Sequence, residues 1–239
     1  PPNVPSIAAT GCSVGTKQGF SIIQYTGTDN ASDTLAHGLL QKPNFAIFKN
    51  LSQSGDDWIV YHTSLGATKR LKLNTTDQAD SQTSQFNDTE PTASLFTIGT
   101  YDNINKLNNS YIAYIWHDVP GLQKFGSYEG NNNSDGPYVE LGFRPSIIIL
   151  KNIDNNPVWC IIDNKRDPDN PVIKYLNPNN NAGGNTNDAF SGTYPIDFLS
   201  NGFKIRNTTG EVNSGHTFVY AAWAETPSVN LFGGSANAR

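Results

Sequence analysis

QYTGTDNASDTLAHGLLQKPNFAIFKN, residues 24–50, returns in altered form as SYEGNNNSDGPYVELGFRPSIIILKN, residues 127–152. Both stretches keep the same markers in the same order: a Tyr-x-Gly triplet, a second glycine, a proline and a closing Lys-Asn pair. The markers are Tyr25, Gly27, Gly38, Pro43, Lys49 and Asn50 in the first stretch, and Tyr128, Gly130, Gly142, Pro145, Lys151 and Asn152 in the second. Such ordered recurrence indicates two diverged copies of one folding unit.

The two copies also end alike. Phe96 and Trp116 enclose as many residues as Phe203 and Trp223 do, so these closing blocks align without a gap. Elsewhere the spacing between equivalent markers drifts, as expected where insertions and deletions collect in loops. All four tryptophans recur at matched places in apolar runs, and we predict that they lie in the core: Trp58, Trp116, Trp159 and Trp223.

Short runs rich in β-branched and aromatic residues recur through both copies, each bounded by Gly, Pro, Asn or Asp. Such runs are typical of strands. The runs WIVYH and YIAYIW are nearly continuous and predict strands covered on both faces. Helix is expected only as single turns, around residues 75–86 or 195–200. The fold class predicted is all-β, an antiparallel, jelly-roll-like β-sandwich built from two tandem copies of about 100 residues with pseudo-twofold symmetry.

The pattern predicts four segments. Residues 1–18 lack periodicity and are expected to form an N-terminal arm or linker on the surface, and residues 231–239 a flexible C-terminal tail. Repeat 1 covers residues 19–122 and repeat 2 residues 123–230. Because a Pro-Gly turn joins them without a linker, we expect the two to pack as one unit with a shared core; two domains in a row is the alternative. The chain lacks Met, so we expect further residues ahead of Pro1.

Composition excludes some partners. Charged residues make up 15% of the chain, against about 25% in typical domains, so the surface is polar mainly through hydroxyls and amides. The net charge of −5 argues against a nucleic acid, because phosphate binding needs clustered Lys and Arg. No apolar run of about 18 residues occurs, so no membrane insertion is expected.

Three long motifs carry a resemblance to a known domain. They are KFGSYEGN (124–131), RDPDNPVIKYL (166–176) and DFLSNGFKIRN (197–207). Together with the rest of residues 19–230, they resemble a two-repeat β domain that recurs in tail-fibre and other virion structural proteins of marine tailed phages, including cyanophages. The resemblance implies a place on the virion surface, and it brings no catalytic residues with it.

One loop offers a candidate metal site. Carboxylate and amide side chains alternate through the loop that follows the VWCII run, and calcium takes six to eight oxygen ligands in flexible geometry. The spacing does not fit an EF-hand, and Lys and Arg within the loop would offset the charge. An ordinary turn is the alternative, since Asp and Asn are common turn formers. The candidate calcium ligands are Asp163, Asp167 and Asp169; no other cofactor is expected.

Catalytic patterns are weak. The four histidines are scattered, without the spacing of a zinc site. His117 and Asp118 suggest a base with an orienting carboxylate, but no serine-nucleophile elbow accompanies them. Carboxylates for sugar hydrolysis are plentiful, yet the sequence cannot pair them. We therefore expect the chain not to be an enzyme.

Some aromatic residues fall in polar segments, where exposed rings could stack on a sugar face. These candidate ligand-binding residues are Phe86, Tyr101, Phe190 and Tyr194.

The expected function is that of a phage virion surface protein, in a tail fibre, receptor-binding tip or capsid decoration. The expected partners are copies of itself in a trimer, other virion proteins and a host cell-surface glycan. The alternatives are a polysaccharide-degrading virion enzyme and a secreted lectin.

Overall fold

The structure is a computed structural model that describes residues 4–179 and 194–227. The chain divides into two compact units. Unit 1 comprises Pro1–Leu73 and Ala79–Asp118, and unit 2 comprises Asn74–Gln78 and Val119–Arg239. The boundary therefore lies near the expected one, except that a five-residue stretch of repeat 1 (residues 74–78) belongs to unit 2.

Unit 1 is built on a large antiparallel sheet in the order β1-β2-β9-β4-β5-β6-β7, with a two-stranded sheet β3-β8. Two single-turn helices, α1 (Thr83–Phe86) and α2 (Asp102–Asn105), lie in its loops. Its strands are β1 (Ala9–Gly15), β2 (Phe20–Thr26), β3 (Asp33–Ala36), β4 (Phe45–Asn50), β5 (Ile59–His62), β6 (Lys69–Lys72), β7 (Asp80–Ser81), β8 (Leu95–Ile98) and β9 (Ser110–Trp116).

Unit 2 has a five-stranded sheet in the order β10-β17-β12-β13-β14 and a three-stranded sheet β11-β16-β15. Every predicted run in both units forms a strand, and every paired strand is antiparallel, so the all-β prediction is confirmed. The strands are β10 (Gln123–Glu129), β11 (Tyr138–Glu140), β12 (Pro145–Asn152), β13 (Cys160–Asp163), β14 (Tyr175–Leu176), β15 (Ile196–Leu199), β16 (Gly202–Ile205) and β17 (Thr217–Ala224).

Five strands of unit 1 and five strands of unit 2 are arranged in the same way. Their order across the sheet is β2-β9-β4-β5-β6 in unit 1 and β10-β17-β12-β13-β14 in unit 2. Unit 1 adds β1 at one edge and β7 at the other, whereas the described part of unit 2 has no strand beyond β10. Between the two sheets of each unit lies its own cluster of buried hydrophobic side chains. One cluster consists of residues of unit 2 and the other of residues of unit 1.

A tyrosine ties sheet to loop in each unit. The hydroxyl of Tyr25 donates to the carbonyl oxygen of Ile104 at 2.6 Å, and that of Tyr128 donates to the carbonyl oxygen of Val212 at 2.7 Å. Both hydrogen bonds are buried, and Tyr25 and Tyr128 are 1% and 8% exposed. The recurring tyrosine thus has the same structural role in each unit.

The glycine two residues after each tyrosine lies where the backbone of a loop comes very close to the strand. A Cβ on Gly27 would overlap the carbonyl oxygen of Lys106, and one on Gly130 would overlap the carbonyl oxygen of Ser214. Only glycine fits there. The second recurring glycine meets a different need, since it lies at positive φ in both units, as Gly38 and Gly142.

The Lys-Asn pair organises the loop that follows it. In unit 1 the Lys49 ammonium donates to the carbonyl oxygen of Asp56 at 2.6 Å, and the Asn50 side-chain oxygen accepts from the Ser52 amide at 2.9 Å. In unit 2 the equivalent asparagine oxygen accepts from two loop amides at 3.0 and 3.1 Å. Side chains thus satisfy loop backbone groups that no ladder reaches.

Two local predictions were wrong. The expected N-terminal arm contains strand β1, and Ile7 ahead of it is only 4% exposed and forms a bridge with Leu35 of the same unit. Residues 195–200, expected as a helical turn, contain strand β15 instead. The turn expected within residues 75–86 is present as α1. No helix in the described residues is long and apolar enough to cross a membrane.

Candidate binding surface

Phe86 was predicted to be an exposed ring, and this prediction was wrong. Its side chain is fully buried in the core of unit 1. The ring centroid lies 5.6 Å from that of Tyr61 and 5.7 Å from that of Phe96, both edge to face. Phe86 is therefore a core residue at the end of α1.

The other three residues predicted to stack on a sugar are Tyr101, Phe190 and Tyr194. Tyr194 is 5% exposed and its ring packs at 4.3 Å from that of Tyr175 in the core of unit 2, so that prediction was also wrong. Tyr101 is half-buried, and the Arg70 guanidinium lies 4.4 Å from its ring centroid. One face of the Tyr101 ring is thus covered by a cation. Phe190 lies outside the described residues.

The candidate calcium loop satisfies its carboxylates internally. Asp163 accepts hydrogen bonds from the Lys165 and Arg166 amides and from the Arg166 guanidinium, and Asp167 accepts from the Ile173 amide at 2.9 Å. Burial alone would raise the pKa of Asp163, but the bonds from Arg166 outweigh it and hold that pKa below its usual value. Asp169 is exposed. The geometry is that of a turn closed by an ion pair, the alternative that the sequence left open.

The described residues hold no metal-binding cluster. Across residues 4–179 and 194–227, no group of three His, Cys, Asp or Glu side chains could hold a metal ion. His117 Nδ1 lies 2.6 Å from the backbone carbonyl oxygen of Asp118, so the carboxylate does not orient the ring through this nitrogen. The suggested His-Asp pair is not formed in this way.

Unit 1 instead presents an apolar surface that sequence reasoning missed. Successive residues of a strand point to opposite faces, so Ile23 and Tyr25 enter the core while Phe20 and Ile22 point the other way. We call the side of the large sheet turned away from the core the outer face. Five large side chains of β2 and β9 lie half-buried on it: Phe20, Ile22, Ile112, Tyr114 and Trp116.

Aromatic rings stack along this outer face. Phe20 and Trp116 are paired across the strands, and their ring centroids lie 4.6 Å apart with 21° between the planes. Tyr114 continues the row, with its centroid 6.3 Å from that of Trp116 and 22° between the planes. Stacking with the neighbours holds these rings in fixed positions, which lowers the entropy lost when a ligand packs on them.

A shallow depression of about 200 Å³ adjoins the aromatic row. It exists because the residues of β1 opposite Gln24 and Ile22 are Gly11 and Ser13, which are too small to cover them. The polar side-chain groups that line it are the Ser13 hydroxyl, the Gln24 amide and the Cys12 thiol. The depression is lined by Gly11, Cys12, Ser13, Ile22, Gln24 and Ile112.

The prediction that all four tryptophans are buried was only partly right. Trp159 is 2% exposed, but its counterpart Trp58 is 37% exposed, with the Lys49 ammonium 6.0 Å from its ring centroid. Trp116 and Trp223 are half-buried. The run WIVYH is covered on both faces, as predicted for residues 59–62, whereas YIAYIW is covered fully only on its core side.

The outer face has the chemistry of a recognition surface. Fixed apolar rings offer flat contact area, and the Gln24 amide and Ser13 hydroxyl offer hydrogen bonds at its border. This combination suits a ligand that has both apolar and hydroxyl-bearing faces.

The fold and this surface define a two-unit, all-β protein with an open sheet face. The chain belongs to the family described as a domain of unknown function (DUF7483), which matches residues 3–227. Neither the curated proteins nor the solved structures include a match to the chain.

Proposed function

We propose that the chain is a structural and adhesion protein of a phage virion surface, in a tail fibre, receptor-binding tip or capsid decoration, where it contacts a host cell-surface glycan. The resemblance of its long motifs to virion proteins supports the location. The outer face of unit 1, with its aromatic row and adjoining depression, is the single observation that supports the contact.

The ligand class follows from the lining of the depression. A sugar ring has apolar C–H faces and a rim of hydroxyls, so it can lie on Ile22 and Tyr114 while hydroxyls reach the Gln24 amide. Aromatic side chains of this kind supply most of the contact area in such complexes. No charged side chain lines the depression, which favours a neutral sugar over an acidic one.

Affinity per site is expected to be low. The depression of about 200 Å³ is smaller than the roughly 300–1,000 Å³ of typical ligand pockets. A virion compensates through copy number, because the second and later contacts form at high effective concentration. Weak single sites in many copies are therefore compatible with firm adhesion.

We also infer that the two units arose by duplication, with each large sheet preserving one ancestral strand order. The shared tyrosine tether and the shared glycine before the following loop support this origin. Strand β1 has no counterpart among the described residues of unit 2, so the depression bounded by β1 is a feature of unit 1. A single recognition surface per chain is the expected result.

Binding to immobilised host-cell polysaccharides tests the contact. Tyr114→Ala and Gln24→Ala are expected to weaken binding about tenfold or more, the usual consequence of removing a stacking ring or a hydrogen bond. Tyr138→Ala is the matched control, since Tyr138 is a 43% exposed tyrosine of unit 2. Equal losses in Tyr114→Ala and Tyr138→Ala, or no binding by the wild type, would refute the glycan site.

Two further measurements separate the alternatives. Release of new reducing ends from the polysaccharide would identify the polysaccharide-degrading enzyme instead. Cryo-EM of the intact particle is expected to show the domain on tail, fibre or shell. Absence of the chain from purified particles would contradict the virion role and favour the alternative function of a secreted lectin.

A further inference from the structure

The two large sheets differ most at one edge. In unit 1 the outer edge of β2 is covered by β1, which pairs with it antiparallel over most of its length. In unit 2 the strand in the place of β2 is β10, and among the described residues no strand covers its outer edge. Within residues 119–179 and 194–227, unit 2 therefore has an open edge at the position where unit 1 has β1.

The hydrogen-bonding groups of β10 alternate between its two sides. The Gly130 amide donates to His216 and the Leu122 carbonyl accepts from Ala224, so even-numbered residues face β17. The backbone groups of Ser127 and Glu129 consequently point away from β17. Both side chains are exposed, and no backbone partner lies on that side within the described residues.

Among the residues that the structure describes, strand β1 also has an open edge. The amide of His117 donates to Gly19 and that of Gly27 donates to Asn109, so odd-numbered residues of β2 face β9 and even-numbered ones face β1. Gly11, Ser13 and Gly15 of β1 are paired with those even-numbered residues. The backbone groups of the residues between them, Cys12 and Val14, therefore point outward.

Both edges lack part of the usual protection, although β10 carries Lys124 and Glu129. Exposed edge strands are normally short, charged or interrupted, because unpaired backbone groups recruit other strands. The opposite edges of the two sheets, β7 and β14, are two residues long, whereas β1 and β10 each have seven. No charged residue occurs from Val4 to Thr16. A register shift at Ala9 and Gly11 leaves the stretch from Cys12 to Gly15 regular.

We propose that β10 of one copy pairs antiparallel with the outer edge of β1 of a second copy, so that the large sheets of neighbouring chains become continuous. Cys12 and Val14 of one chain would exchange backbone hydrogen bonds with residues of β10 that include Ser127. The two surfaces differ, so the contact is heterologous. It generates a closed ring, such as a trimer, or a growing filament. The inference is independent of the glycan proposal.

Proline and alanine variants isolate the backbone contribution. Ser127→Pro removes an outward amide without removing a bond to β17, and Val14→Pro does the same on β1. Each is expected to weaken self-association about tenfold or more in sedimentation experiments, as expected for the loss of one or two hydrogen bonds. Ser127→Ala and Val14→Ala retain the amide and are expected to associate like the wild type. Thermal melts check that every variant folds.

Thiol cross-linking provides a second readout that does not depend on a proline. Cys12 is exposed and Cys160 is buried, so a short bifunctional thiol reagent reacts at Cys12 and at an introduced cysteine. Ser127→Cys is expected to give covalent oligomers. Ser134→Cys, in an exposed loop of the same unit, is the control and is expected to give few.

Three results would overturn the proposal. The first is a wild-type chain that remains monomeric at the highest concentration at which it stays dissolved. The second is association lost in Val14→Pro but kept in Ser127→Pro, together with Cys12–Cys12 cross-links in the wild type, which would indicate pairing of β1 with β1. The third is equal cross-linking of Ser127→Cys and Ser134→Cys.

Discussion

The hydroxyl of Tyr25 and the carbonyl oxygen of Ile104 are joined by a 2.6 Å hydrogen bond across 79 residues of sequence. Tyr25→Phe leaves that buried carbonyl without its donor, which is expected to cost about 1–3 kcal/mol of unfolding free energy. Urea unfolding measures the loss. Tyr128→Phe is the matched variant in unit 2 and is expected to behave alike, while an unchanged midpoint in both would contradict the tether.

Gly27→Ala and Gly130→Ala test the close approach of loop backbone to each strand. The added methyl group would overlap a carbonyl oxygen, and overpacking of this kind typically costs about 1–3 kcal/mol. Gly210→Ala is the control, because nothing lies within 4 Å of the added Cβ. Thermal denaturation should separate the first two variants from the control; three equal melting temperatures would show that the loops simply move aside.

Lys151 predicts a dependence of stability on alkaline pH. Its side chain is fully buried and donates to the carbonyl oxygens of Thr76 and Pro157 at 3.0 and 2.9 Å. Burial lowers the pKa of Lys151 from 10.5 to about 8, although Cys160 and Asp77 act in the opposite direction. Between these values the unfolded chain binds more protons than the folded chain, so the contribution of Lys151 to stability increases with pH.

Lys151→Met should remove this increase in stability with pH. At neutral pH it should also destabilise unit 2, because the carbonyl oxygens of Thr76 and Pro157 lose their hydrogen-bond donor. The check is the free energy of unfolding of wild type and variant from about pH 8 to about pH 10.5. Lys49→Met is the control, since Lys49 is only half-buried. Parallel pH profiles for wild type and Lys151→Met would contradict the assignment.

Strand positions were predictable because they depend on local signals. Alternating apolar residues and Gly, Pro or Asn boundaries act over a few residues, and each predicted run became a strand. Strand β1 was missed because its small, uncharged side chains carry no alternation, and it is ordered by pairing with β2 rather than by burial. Backbone pairing of that kind leaves no pattern in the sequence.

The gapless alignment of the closing blocks was wrong by one residue inside a loop. It pairs Asn105 with Val212, because Trp116 and Trp223 differ by 107 positions. In the structure Asn213 has the role of Asn105: the side-chain oxygen of each accepts an amide hydrogen bond, from Thr28 at 2.9 Å and from Asn131 at 2.8 Å. An insertion and a deletion of equal size cancel along the chain, so residue counting cannot detect them.

The candidate surface was not predicted, because the sequence does not show which side chains are covered by other parts of the fold. Phe86 and Tyr194 have polar neighbours in sequence, yet each side chain turns inward against aromatic partners far along the chain. Tyr114 lies in an apolar run that favours burial on both faces, but one face is only partly covered. Periodicity shows which residues share a face, and only the tertiary structure shows what lies over it.

Residues 74–78 complete unit 2 although they precede the last strands of unit 1, and Lys151 binds the Thr76 carbonyl among them. The boundary between the two predicted sequence repeats therefore does not coincide with the boundary between the two compact units. A recombination event that exchanged only the downstream half would bring in a lysine fitted to a different upstream segment. The two halves are thus expected to be inherited together, as a single heritable block.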